Sequence, residues 1–185
     1  MNLQELELTA ASCQLCDLCK GRVKPVFAKG YRESDILICG MCPGRDENFV
    51  GYPFVGKAGK VLDDILYTVF TGETEPHDHV YITNLVKCFV QPGIKLQEEW
   101  MDACLPHLIV QIALVNPKVI IGLGKDVCNY LLNVNDSIGR MRERLNSYMG
   151  INFICTYHPS FLARGNSKKY FDVVVGDFRK ALDFI

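Results

Sequence analysis

Four short apolar runs, at 36–39, 80–83, 119–121 and 153–156, are dense in β-branched residues and end at polar or glycine positions, the signature of buried strands. Between them the apolar positions fall at helical spacing. Over 57–70 the residues Val61, Leu62, Ile65, Leu66 and Val69 share one face, and over 97–115 Trp100, Cys104, Leu108, Ile112 and Val115 do the same. Further helices are expected over 125–132 and 170–185, and a short one over 2–12. Strands that alternate with helices pair in parallel through right-handed crossovers. The pattern therefore predicts an α/β fold, a three-layer α/β/α sandwich around a central four-stranded parallel sheet. The polar stretch 133–150 reads as a loop able to move as a flap.

In such a sheet, ligands bind where the strands end, because loop amides and helix N-termini converge on that edge. The first strand runs into GMCPGRDENFVGYPFVGKAG at 40–59, where glycines permit close backbone approach and Pro43 and Pro53 stiffen the loop. A structureless connection this long inside a compact domain is more often functional than not. Asn84 follows the second strand and His158 the fourth. An amide, an imidazole and a glycine-lined pocket should meet on one edge.

Composition narrows this further. With 185 residues, 49% of them apolar, the chain suits a single domain spanning 1–185 with an N-terminal cysteine knuckle. A formal net charge of −1 leaves any polyanion contact to local patches. No run is long enough to span a membrane and the opening MNLQELELTA is acidic, so a cytoplasmic, monomeric protein is expected. Nine cysteines are an odd number without an export signal, which argues against a disulfide framework. Cys13 and Cys16 form a C-x2-C pair, while Cys88 and Cys104 lie sixteen positions apart. Four thiolates suit zinc or an iron–sulfur cluster, though Cys16 and Cys19 make an equally good pair on spacing. Cys39, Cys128 and Cys155 read as small core residues, and Cys42 as a residue lining a site.

These motifs together resemble the uracil-DNA glycosylase superfamily, most closely its iron–sulfur family 4. The similarity runs from Cys13 to about Arg164 through five ordered segments: CQLCDLCKGR, the glycine loop, YITNLVKC, NPKVIIGLG and TYHPSFLAR. The resemblance implies a structural 4Fe-4S cluster on Cys13, Cys16, Cys88 and Cys104, with Cys19 a bystander and zinc the alternative. It also implies uracil-containing DNA as partner and hydrolysis of the N-glycosidic bond of a nucleotide flipped out of the stack. Gly40, Met41, Cys42, Glu47, Phe54, Asn84 and His158 would form the base pocket. In it Phe54 stacks on uracil, Asn84 reads the O4 and N3–H edge, Glu47 lies near the 5 position, and His158 donates to O2. Ser160, Arg164 and Arg142 would hold phosphates, with Lys168 and Lys169 a further basic pair.

The chain departs from the family at Met41, where relatives carry glutamate, and over 89–95, which lacks most of the expected Arg-Pro-Pro and Asn-Arg pattern. Asp46 and Glu47 are then the nearest carboxylates in sequence. Three functions fit: a uracil-DNA glycosylase, a degenerate relative serving as a DNA-binding or replication partner, and a glycosylase for another base. Joint retention of Glu47, Phe54, Asn84 and His158 favours the first.

Overall fold

The computed structural model describes residues 1–185, except the side chains at 166–168. The expected basic residue Lys168 thus lies outside the described side chains. Four strands form the parallel centre of the sheet: β2 (Ile36–Gly40), β3 (Val80–Asn84), β4 (Val119–Leu123) and β6 (Ile151–Thr156). Every residue of β2, β3 and β4 is buried, as expected of strands covered on both faces. The sheet is wider than the four strands predicted. Two antiparallel edge strands, β1 (Ala28–Gly30) and β5 (Asn146–Tyr148), extend it to six in the order β1-β3-β2-β4-β6-β5.

Period-two alternation divides the core. Ile36, Ile38, Val80, Ile82, Val119 and Ile121 face α3 (Lys57–Val69) and α8 (Ser167–Leu182), meeting Leu62, Ile65, Leu66, Val174 and Phe178. Leu37, Cys39, Tyr81, Ile120, Phe153 and Cys155 face the opposite layer, where Leu3 of α1 (Leu3–Ala11), Leu108 and Ile112 of α4 (Glu98–Val115), and Val127 and Cys128 of α5 (Lys125–Leu132) complete the second core. Cys39, Cys128 and Cys155 are fully buried core residues, as their apolar surroundings predicted.

The stretch 133–150 is built rather than free. It holds α6 (Ile138–Met141) and β5, and the Met149–Gly150 turn, with φ of 54° and 79°, closes a hairpin onto β6. Met141 is fully buried. Arg142 donates from Nε and Nη2 to the two oxygens of buried Asp177 on α8, at 2.8 and 2.9 Å. This corrects two expectations: the segment is a packed edge rather than a flap, and the Arg142 fork is engaged by a buried carboxylate rather than open to phosphate. Among the described residues no helix is long and apolar enough to cross a membrane.

Candidate active site

The parallel register sets Gly40 beside Asn84, Cys39 beside Gly122 and Leu123 beside Thr156, so the loops after all four central strands open on one edge. Asn84 ends β3 and is 2% exposed, with its Oδ1 set against Gly40. Its placement comes from the backbone: Lys87 Nζ donates to Asn84 O and, at 2.8 Å, to Thr83 Oγ1. Burial presses the Lys87 ammonium down to about 8.

Phe54 forms the facing wall. It holds φ of 53°, a left-handed conformation costly for an aromatic residue, and three contacts impose it. Lys29 Nζ donates to Phe54 O at 3.0 Å. Glu47, in the first turn of α2 (Arg45–Val50), accepts the amides of Val55 and Gly56 at 2.9 Å each through Oε1. Finally, a Cβ at Gly59 would stand 2.0 Å from Phe54 O, so only glycine lets α3 start against this loop. Glu47 is therefore a buried brace that shapes the wall.

Gly40 lies between wall and amide. An added Cβ would meet Asn84 Oδ1 at 2.3 Å and Phe54 Cζ at 2.8 Å. Gly40→Ala should therefore displace both groups and lower turnover at this site about a hundredfold, at a cost in stability of about 1–3 kcal/mol. Steady-state rates paired with a thermal melt check this; an unaffected rate would show that the close approach at Gly40 does not shape the site.

The Phe54 and His158 rings stand 5.8 Å apart at 34°. His158 Nδ1 lies 3.1 Å from the Ser160 amide nitrogen and 2.8 Å from Ser160 Oγ at the start of α7 (Pro159–Phe161). An amide N–H can only donate, so Nδ1 is the acceptor and the proton of the neutral ring sits on Nε2. Burial, then the Arg164 guanidinium, presses the imidazole down to about 4 against the opposing pull of Asp126 and Glu47. The site thus presents a neutral N–H donor. Burial also pushes the Cys42 thiol up to about 11, so Cys42 is a protonated lining residue and not a nucleophile.

Met41, Cys42, His158, Ser160 and Arg164 line an open groove beside this pocket. Lys95, Lys125 and Asp126 line it as well, and sequence reading had missed all three. The signal was there for two of them, since Lys125 and Asp126 directly follow β4 as His158 follows β6.

On the other side of Lys87 is a second cavity, lined by Cys13, Cys16, Cys88 and Cys104 together with Cys19, Arg22 and His107. Arg22 Nη1 donates to Cys88 Sγ at 3.2 Å and the Lys87 amide to Cys104 Sγ at 3.3 Å. His107 Nε2 is buried there with no partner among the described residues. All nine cysteines are free thiols. The thiols share the cavity without closing on one another: among the described residues no set of three or more His, Cys, Asp or Glu is arranged to hold a metal ion.

Residues 27–179 match the family described as the uracil DNA glycosylase superfamily. Similar curated proteins include the type-4 uracil-DNA glycosylases of Sulfurisphaera tokodaii (30% identical, covering 97% of this chain and 83% of the relative), Pyrobaculum aerophilum (32%, 98% and 92%) and Thermotoga maritima (33%, 94% and 89%).

Proposed function

From the premise that the chain belongs to the uracil-DNA glycosylase superfamily, we infer that it hydrolyses the N-glycosidic bond of deoxyuridine in DNA, releasing uracil and leaving an abasic site. The observation that carries this reading is the site where Gly40, the Asn84 side chain, the Phe54 ring and His158 meet on one sheet edge. A flipped base entering it stacks on Phe54. Asn84 both donates and accepts, so it pairs with uracil O4 and N3–H and opposes cytosine, whose pattern is reversed. Glu47 acts through the wall it braces.

Bond cleavage moves negative charge onto uracil O2 and positive character onto the sugar. The Nε2–H of His158 is a preorganised donor for that oxygen, so it stabilises the transition state more than the ground state. Arg164, with Lys95 and Lys125, supplies the local positive field for the flanking phosphates, while the Ser160 hydroxyl holds His158 Nδ1. Because His158 stays neutral down to about pH 4, kcat/KM should be level through pH 6.5 and fall only as pH approaches 4. A rate profile measured from pH 4 to 8 checks this; an acid limb centred near 6.5 contradicts it.

The cysteine cavity supports a 4Fe-4S cluster on Cys13, Cys16, Cys88 and Cys104. Its donor set is all thiol, and two N–H donors already point at sulfur as cluster sulfurs require. The group's contribution there is a cross-link between the N-terminal segment and the β3–α4 connection. Iron analysis with visible absorption tests it; a colourless zinc-loaded protein contradicts it.

The function itself is tested by incubating the protein with an oligonucleotide holding a single uracil and then treating with hot alkali. Strand scission at the uracil supports the glycosylase. Tight binding without scission would instead favour a DNA-binding relative, the reading that Met41 keeps open.

A further inference from the structure

Met41 leaves the β2 end of the groove without a carboxylate, and the β4 end supplies one. Met41 and Cys42 follow β2, Asp126 stands in the first turn of α5 after β4, and both segments line the groove that His158 enters. Gly124 draws α5 up to the imidazole. With φ of 97°, it backs onto His158 so closely that an added Cβ would stand 3.0 Å from His158 Cβ. Two residues on, exposed Asp126 is near enough for its charge to act on both the His158 imidazole and the Cys42 thiol. The carboxylates nearest in sequence serve elsewhere: Glu47 binds two loop amides, and Asp46 Oδ2 lies against Gly56, 2.8 Å from where a Cβ would be. Glu98, the groove's other carboxylate, is not among the charges that act on His158 or Cys42.

We propose that Asp126 is a catalytic carboxylate of uracil excision, holding the attacking water and balancing the sugar cation from the groove that it lines together with His158. The inference rests on the glycosylase reading of the site. The C1′–N1 bond breaks with its electron pair leaving on uracil, whose O2 is held by His158. Water oxygen then bonds to C1′, and its proton passes to Asp126 and on to solvent, while the uracil anion takes a proton from water. Met41 contributes only shape, since a thioether neither accepts that proton nor offsets the sugar charge.

The test compares wild type, Asp126→Asn, Met41→Glu and the double variant in single-turnover release of uracil, alongside affinity for abasic product DNA. Asp126→Asn is expected to slow release about a hundredfold, with product affinity unchanged or tighter. Met41→Glu in that background should recover at least tenfold, because it restores a carboxylate to the same groove. A wild-type rate in Asp126→Asn overturns the proposal, as does a rate loss matched by an equal loss of DNA affinity or left unrescued by Met41→Glu. If wild type itself releases no uracil, the glycosylase reading fails instead.

Discussion

His158→Ala lowers the rate of uracil release by about a hundredfold to a thousandfold at saturating DNA, with KM nearly unchanged. The asymmetry follows from what the imidazole meets. Uracil O2 carries full negative charge only as the glycosidic bond breaks, so a donor aimed at it contributes little to substrate binding. The tautomer is fixed before the base arrives, because the Ser160 amide holds Nδ1 as an acceptor. The same contact makes His158 the N-cap of α7, so alanine also removes a cap, worth about 1 kcal/mol of stability. His158→Asn separates the two effects, since asparagine caps well but its shorter side chain cannot extend as far as Nε2. Both variants should lose release, with only alanine losing stability as well; single-turnover kinetics and thermal melts read the two quantities. Normal release in either variant contradicts the role.

Asn84→Ala produces a loss of similar size distributed differently. The residue is 2% exposed and its Oδ1 stands against Gly40, so a base seated there meets the amide rather than bulk water. Removing the amide leaves the O4 and N3–H groups of a bound uracil without partners in a dry slot, at about 1–3 kcal/mol for each. Two such groups correspond to a fall in kcat/KM of about thirtyfold to twenty-five-thousandfold. Because the lost contacts exist in the bound ground state as well as in the transition state, most of the loss should appear as a raised KM, with kcat falling less. Fluorescence titration with uracil-containing DNA, set beside the kinetics, checks this. A variant that keeps wild-type KM would mean that Asn84 does not read the base.

The parallel centre of the sheet was legible because strands buried on both faces must be continuously apolar, and 36–39, 80–83 and 119–121 are. The edge strands were not, since Ala28–Gly30 and Asn146–Tyr148 are three residues each, only partly buried, and defined by pairing to β3 and β6 rather than by composition. Asn84 and His158 could be read because strand ends concentrate binding groups. The same rule at β4 points to Asp126. Arg142 misled because a charge-rich stretch looks solvated, whereas its partner Asp177 is 35 positions away on another helix. The brace formed by Glu47 depends on two loop amides eight and nine positions later, a relation that no spacing rule encodes.

The pocket of Phe54, Asn84 and His158 is expected to excise uracil and to leave other bases in place. The most direct measurement is chromatographic quantification of free base after a single turnover on oligonucleotides bearing one uracil, one thymine or one cytosine at the same position. One equivalent of free uracil per strand is expected, with an alkali-labile site in equal amount and no release of thymine or cytosine. Absence of free uracil, or equal release from an Asn84→Ala, His158→Ala double variant, would contradict it.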